Sequence, residues 1–392
     1  MNTVVIVAAQ RTPLGSFMGC LSGVKVTDLG ATAIRACLKK IELEPQEVEE
    51  VFMGHVLQAG TGQAPARQAA LKAGIPEEVP CTTVNKVCAS GMKAIQLAAQ
   101  GIALGDIDIA IAGGMESMSQ SPHLIPLRKG QKFGAVTTVD NLQHDGLTDA
   151  FEKVPMGVFA DRCAQTYSIT REQQDQYAIE SYERSTKAHK QKYFAAEICP
   201  VEVPQRKGPP IIVDKDEEFE NVKLEKIPVL QPAFGSEGTV TAANASTIND
   251  GAAAVVLMSA QKAKQLGLKP LAVLQSYADA ALSPEAFTVA PAQALPKALE
   301  KANLSADDID LFEINEAFSV VALANMQLLN IPHEKVNVHG GAVSLGHPIG
   351  CSGARIVVTL VHALQTHRKS LGAAAVCNGG GGASAVVLNS QV

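Results

Sequence analysis

The sequence predicts an α/β protein made of two copies of one strand-and-helix unit, with a long segment inserted into the first copy. Three observations predict it. Short β-prone apolar runs alternate with stretches of helical spacing toward both ends of the chain. Three patterns also recur in the same order: residues 45–52 return as 305–312, 90–95 as 352–357, and 110–114 as 375–380, each offset by about 260 residues. Finally, 32 Gly and no Trp in 392 residues point to tight strand-to-helix turns and close backbone packing.

Taken in order, residues 4–9 read as a first buried strand, and 28–40 as a helix with Asp28 as its N-cap. Residues 51–54 give a second strand and 64–73 a second helix. A β-prone run, 81–84, leads through Asn85-Lys86-Val87-Cys88-Ala89-Ser90-Gly91 into a helix that begins near Met92. Residues 107–114 form a strand ending in a Gly turn. From about 119 to 248 the chain is polar, carries Pro pairs, and has no counterpart in the other half. It holds one long helix from 171 to about 193, started by a capping box of Thr170 and Gln173. Residues 252–258 then supply the last strand of the first unit, and 271–276 open the second. There, 309–314 is a strand, 351–364 a helix, and a strand beginning at 373 runs into four glycines. The expected units are 1–118 with 249–270, the insertion 119–248, and 271–392. Strands separated by helices imply a mostly parallel sheet covered on both faces.

Composition narrows the function. The net charge of −6, with no long block of Lys or Arg, gives a nucleic-acid or polybasic membrane role no support. The N-terminus lacks a basic region, no export signal is expected, and no apolar run is read as reaching transmembrane length. The eight cysteines contain no C-x-x-C pair and no zinc-like His/Cys spacing. Free thiols in a reducing, cytoplasmic compartment are the expectation, with no metal required.

Four stretches place reactive side chains at strand ends or helix starts, where open α/β sheets bind ligands. Cys88 lies before a helix, where the positive end of the macrodipole favours a thiolate. Asn315 follows the 309–314 strand, His347 sits in the loop from His339 to Gly350, and Cys377 ends a strand at Gly379-Gly380-Gly381-Gly382. Each has a plainer reading: a core thiol, a helix cap, a surface loop histidine, a buried strand thiol. Spacing does not choose between His339 and His347. The glycine run is a tight turn or a phosphate cradle, without the spacing of a nucleotide fingerprint. Together, two thiols, an imidazole and a carboxamide on Gly-rich ends point to covalent acyl transfer. Equivalent ends of two duplicated units would face one shared cleft.

These motifs resemble the thiolases. Asn85-Lys86-Val87-Cys88-Ala89-Ser90-Gly91, Asn315-Glu316-Ala317-Phe318, Gly346-His347-Pro348-Ile349-Gly350 and Cys377-Asn378-Gly379-Gly380-Gly381 stand in that family's order and spacing. The resemblance runs from Val4 to Leu388 and is strongest to the acetoacetyl-CoA-cleaving members. It implies a five-layer α-β-α-β-α core of two duplicated domains, with the insertion as a loop domain that binds coenzyme A. It implies an acyltransferase that interconverts two acetyl-CoA with acetoacetyl-CoA plus CoA. Cys88 would carry the acyl group, His347 would activate it, and Cys377 would move the C2 proton. Asn315 would hold a water that stabilises the enolate with His347, and the N–H groups of Cys88 and Gly379 would form an oxyanion hole.

The resemblance further implies that Ser246 contacts the pantetheine, with Ala242, Leu147, Met156, Phe234, Ala317 and Phe318 around its tunnel. Some relatives bind potassium at positions matching Tyr182, Ala242, Ala243, Ala245 and Val343; no other cofactor is implied. A homotetramer, a dimer of dimers, is the implied assembly. Two departures stand out: Pro155 where close relatives often carry His, and acidic or neutral residues around Glu220 and Asn221 where relatives carry an Arg near the nucleotide. Lys223 and Lys226 are the substitutes on offer. Other readings are a broader-range 3-ketoacyl-CoA thiolase of fatty-acid breakdown, a ketoacyl synthase, and an inactive acyl-CoA-binding protein on the same scaffold.

Overall fold

A computed structural model describes residues 1–391. The first unit runs β1 (Val4–Arg11), α1 (Val26–Lys40), β2 (Glu50–Gly54), α2 (Pro65–Ala73), β3 (Cys81–Val84), α3 (Ser90–Leu104) and β4 (Ile109–Ser117). The inserted segment follows, with α4 (Met156–Thr166) and α5 (Arg171–Lys190), before β5 (Asn249–Ser259) closes the unit. The second unit runs β6 (Ala272–Ala281), α6 (Pro291–Lys301), β7 (Leu311–Ile314), α7 (Ser319–Leu329), α8 (Ile349–Thr366), β8 (Leu371–Asn378) and β9 (Gly382–Asn389).

The duplication is visible in strand order. The first sheet reads β3-β2-β4-β5-β1 and the second β7-β8-β9-β6, with Val336 bridged to Phe312 where the second unit's equivalent of β3 belongs. The sheets meet edge to edge through two residue pairs, Val5↔Val273 and Ile6↔Ala272. Each sheet is mixed, which corrects the expectation of a mostly parallel one. β2 pairs in parallel with β3 and β4, and β7 with β8, across helical crossovers. The β1–β5, β4–β5, β6–β9 and β8–β9 ladders are antiparallel. A hairpin joins β8 to β9 and the insertion joins β4 to β5, so neither connection is the helical crossover that parallel neighbours need.

Side-chain faces build five layers. Leu29, Ile34 and Ala69 of α1 and α2 pack on Val51, Met53 and Ile111 of the first sheet. Met92, Ile95 and Ile102 of α3 lie with Ile356, Val357 and Leu360 of α8 between the two sheets. Leu295, Leu299 and Ala322 of α6 and α7 cover Phe312 and Ile314 on the far face. Each fully buried aliphatic side chain contributes about 1.5–3 kcal/mol, so the middle layer welds the halves together. The 18-residue window Val87–Leu104 is apolar enough, by length and composition, to cross a membrane. That corrects the sequence reading, and the reason is burial: this is the middle-layer helix α3.

Two glycines decide where α8 starts. A Cβ at Gly114 would lie 2.1 Å from the Gly350 carbonyl oxygen, and one at Gly54 would lie 2.8 Å from the same atom. Their bare backbones let the first turn of the second unit's α8 settle onto strands of the first unit. Glu116, fully buried at the end of β4, receives the Gly350 N–H at 3.0 Å and fixes that contact. The inserted segment is tied to the second unit by α5, whose Tyr177 and Ser181 hydroxyls donate to Glu316 at 2.8 and 2.9 Å. The Thr170–Gln173 capping box forms as expected. Asp28 does not cap α1; Lys25 holds that position and Asp28 sits in the first turn, near the positive helix end.

Candidate active site

The site starts from a strained turn. Val87 has φ 49°, a left-handed conformation that its branched Cβ disfavours by about 1–3 kcal/mol. Neighbours over-determine it. Asn85 Oδ1 accepts the Val87 N–H at 3.0 Å, and Ser90 Oγ accepts the Lys86 N–H at 2.8 Å while donating to the Val87 carbonyl at 2.6 Å. Lys86 Nζ reaches across to the second unit, donating to Asp279 Oδ1 at 2.6 Å and Ser384 Oγ at 2.8 Å. The turn delivers Cys88 half-buried, just ahead of α3. Burial pushes its thiol up to about 11, and the N–H groups of Gly379 and of Cys88 itself pull back only part of that. The helix start therefore does not give a resting thiolate: desolvation of the charged sulfur outweighs it.

His347 is buried at the entry to α8, its own N–H held by Asn249 Oδ1 at 2.9 Å. Its Nδ1 lies 2.5 Å from Ser352 Oγ, and that hydroxyl donates to the Pro348 carbonyl at 2.9 Å. With its proton committed, Ser352 accepts from Nδ1–H. Nε2, which has no partner among the described residues, is left with a lone pair. Burial, then the Arg355 guanidinium, lowers the imidazole to about 3, so it is neutral near pH 7. Arg355 itself is buried against Glu313, 3.4 Å away.

Cys377 and Asn315 stand at the ends of β8 and β7, both buried. Burial and the neighbouring Cys88 thiol push Cys377 well above the usual thiol range. Asn315 caps no helix, since α7 starts at Ser319 with Phe318 before it. Both atoms of its carboxamide lack protein partners among the described residues, an unusual state for a buried amide. In the glycine run only Gly380 and Gly381, at φ 83° and 91°, make the left-handed turn; Gly379 lines the same cavity as Cys88.

A cavity of about 640 Å³ opens onto Cys88, His347 and Gly379. All seven tunnel residues read from the sequence line it: Leu147, Met156, Phe234, Ala242, Ser246, Ala317 and Phe318. Pro155 lines it too, beside Met156. Asn315 and Cys377 are not among the residues that line it. His339 is elsewhere, stacked on Tyr193 with its Nε2 3.0 Å from that of His367. Tyr182, Ala243 and Val343 share one buried cluster, and Ala242 and Ala245, within two residues of Ala243, line the cavity. Sequence reasoning missed the roles of Ser352, Lys86 and Asn249. Ser352, five residues past His347 on the same helix start, carried the one local signal.

The chain matches the models for "Thiolase, N-terminal domain" over residues 4–261 and "Thiolase, C-terminal domain" over 268–390. It is 54% identical to acetyl-CoA acetyltransferase 1 of Arabidopsis thaliana, covering 98% of this chain and 94% of that one. It is 52% identical to the cytosolic acetyl-CoA acetyltransferase of Gibberella zeae, with 98% of both chains covered. The mitochondrial acetyl-CoA acetyltransferase of Rattus norvegicus is 54% identical, covering 99% and 91%. Among solved structures, the Acat5 thiolase of Ascaris suum in complex with coenzyme A superposes with a TM-score of 0.95 at 48% identity, over 99% of this chain and 100% of that one. The chain belongs to the thiolase family.

Proposed function

We propose that this protein is an acetyl-CoA C-acetyltransferase that interconverts two acetyl-CoA with acetoacetyl-CoA plus CoA through an acetyl-Cys88 intermediate. The observation that carries this reading is the half-buried Cys88 thiol and the neutral His347 imidazole on one largely apolar cavity, with the buried Cys377 thiol near enough to Cys88 to be shifted by it. In thiolysis, Cys88 Sγ attacks the C3 carbonyl of acetoacetyl-CoA as its proton passes to His347 Nε2. Burial disfavours a separated thiolate–imidazolium pair, so attack and proton transfer are coupled. The N–H groups of Cys88 and Gly379 receive the oxyanion. The C2–C3 bond then breaks, leaving acetyl on Cys88 and the enolate of acetyl-CoA. His347 and a water on the Asn315 carboxamide stabilise the enolate oxygen, and the Cys377 S–H delivers its proton to C2. A CoA thiol then gives its proton to the Cys377 thiolate and takes the acetyl from Cys88, whose sulfur recovers its proton from His347; condensation is the reverse. Two similar groups kept in different roles by their surroundings fit this requirement.

Residues 119–248 act in this account as the loop domain that grips coenzyme A, between units 1–118 with 249–270 and 271–392. Potassium would be held by the Tyr182 hydroxyl and the carbonyls of Ala242, Ala243, Ala245 and Val343, an all-oxygen donor set that suits a hard cation. Burial and the Glu218 and Glu316 carboxylates keep the Tyr182 phenol protonated, a neutral donor. Such an ion would brace the Ala242–Ser246 loop. Relatives include cytosolic and mitochondrial enzymes; eight free thiols suit a reducing compartment, cytoplasmic on our reading. A homotetramer would cover the exposed Ile125, Leu127 and Phe133 of the insertion. The test is thiolysis of acetoacetyl-CoA, followed by its ultraviolet absorbance. CoA-dependent loss of absorbance is expected, and none would leave only an acyl-CoA-binding protein.

A further inference from the structure

Glu116, near the end of β4, is a buried carboxylate that takes no part in the chemistry above. A charge shielded from water persists only where donors surround it. Its Oε2 accepts the Val56 N–H at 3.1 Å and the Gly350 N–H at 3.0 Å, and its Oε1 accepts the Leu57 N–H at 3.2 Å. The fourth neighbour is His55, also buried, whose Nδ1 stands 2.7 Å from Oε1. Two lone pairs would repel at that separation, so Nδ1 carries a proton. The approach is close but poorly directed, and acts as charge attraction more than as a hydrogen bond.

These donors come from the two sides of the site. The Gly350 N–H belongs to the first turn of α8, where Pro348 at the cap position offers no side-chain acceptor. Glu116 supplies that acceptor from 234 residues away, and its charge meets the positive end of the helix. His347 lies just before this turn, and Ser352, which receives its Nδ1–H, lies within it. Val56 and Leu57 belong to the other side: with Ile349 they form an apolar cluster against which Cys88 packs. His55 also donates its backbone N–H to the Val84 carbonyl at 3.0 Å, where β3 ends ahead of the Cys88 turn. The fit is tight, since a Cβ at Gly350 would lie 2.7 Å from Glu116 Oε2. Neither Glu116 nor His55 lines the cavity.

We propose that Glu116, partnered by His55, is a positioning residue for acetyl transfer: one carboxylate holds the segment packed on Cys88 and the helix start beside His347 in a single alignment. The proposal rests on the acetyltransferase reading above and adds to it a pair of residues that meet no substrate. Proton transfer from Cys88 to His347 needs the two side chains within hydrogen-bond reach, and a small displacement of either costs rate. Substrate binding does not depend on that alignment, so the loss falls on kcat and leaves KM in place.

The experiment is steady-state thiolysis of acetoacetyl-CoA, with single-turnover acetylation of Cys88 by acetyl-CoA beside it. Glu116→Gln keeps the shape but turns an NH2 group toward a backbone N–H. Its kcat and acetylation rate should both fall about ten- to hundredfold, with KM within about twofold. Ser352→Ala acts through the same imidazole, so the double variant should lose less than the product of the single losses. His55→Leu, similar in size but without a donor, should lower kcat about three- to tenfold at unchanged KM. His55→Gln restores an N–H and should recover most of that loss. A kcat within about twofold in Glu116→Gln, a KM that rises as far as kcat falls, or fully multiplicative losses with Ser352→Ala overturns the proposal. If Glu116→Gln protein does not fold, the His55 variants decide, and an unchanged kcat in His55→Leu overturns it. An unsubstituted chain that never cleaves acetoacetyl-CoA strikes the acetyltransferase reading and the proposal together, whereas an active chain indifferent to Glu116→Gln strikes the proposal alone.

Discussion

Replacing Ser352 by Ala should impair acylation of Cys88 far more than it impairs folding. Among the described residues, Ser352 is the one side chain that receives His347 Nδ1–H, at 2.5 Å, and its own proton is spent on the Pro348 carbonyl. Without it, a buried N–H loses its acceptor, which costs about 1–3 kcal/mol. The imidazole is then free to place its proton on Nε2, the atom we propose accepts the proton of Cys88. If the whole penalty falls on the reactive tautomer, the acylation rate drops about 5- to 150-fold. The assay is single-turnover acetylation by acetyl-CoA, read by mass spectrometry on protein whose circular dichroism matches the unsubstituted chain. An acetylation rate within about twofold of the original would refute the tautomer argument.

Lys86→Met should lower kcat about tenfold through the Val87 turn, with a strain of about 1–3 kcal/mol no longer braced. Steady-state thiolysis by protein whose circular dichroism matches the unsubstituted chain checks this. Gly114→Ala pushes a methyl toward the Gly350 carbonyl and should destabilise by about 1–3 kcal/mol in chemical unfolding, shifting α8 and cutting activity. His339 is lowered by burial, then by His367 and His362, from 6.5 to about 3 in the folded chain. Between those values the unfolded chain binds a proton that the folded chain does not, so stability falls as pH falls through that window. The slope approaches 1.4 kcal/mol per pH unit for this one group. His339→Gln should flatten the acid limb of the stability profile.

The order of elements and the four reactive motifs were legible because their signals are local: apolar period, Gly-rich turns, the Thr170 capping box. Strand direction was not, since β4 and β5 are joined by an insertion whose course no short pattern reports. His347 and His339 look alike in sequence; only packing sends one to Cys88 and the other against Tyr193. The partner of the His347 N–H, Asn249, lies 98 residues away, and Lys86 finds Asp279 at a separation of 193. Ionisation was misread for the same reason. The helix start predicted a thiolate at Cys88, but desolvation is set by the second unit closing over the turn. The site is an interface between two repeats, and contacts across it leave no periodic trace.

The central claim is a division of labour between two thiols, and exchange of the C2 protons of acetyl-CoA tests it most directly. In deuterated buffer, Cys377→Ala protein should still take acetyl onto Cys88 but leave the C2 protons unexchanged, while Cys88→Ala should form no covalent acetyl-enzyme. Normal exchange in Cys377→Ala, or acetyl trapped on another residue in Cys88→Ala, would contradict the account.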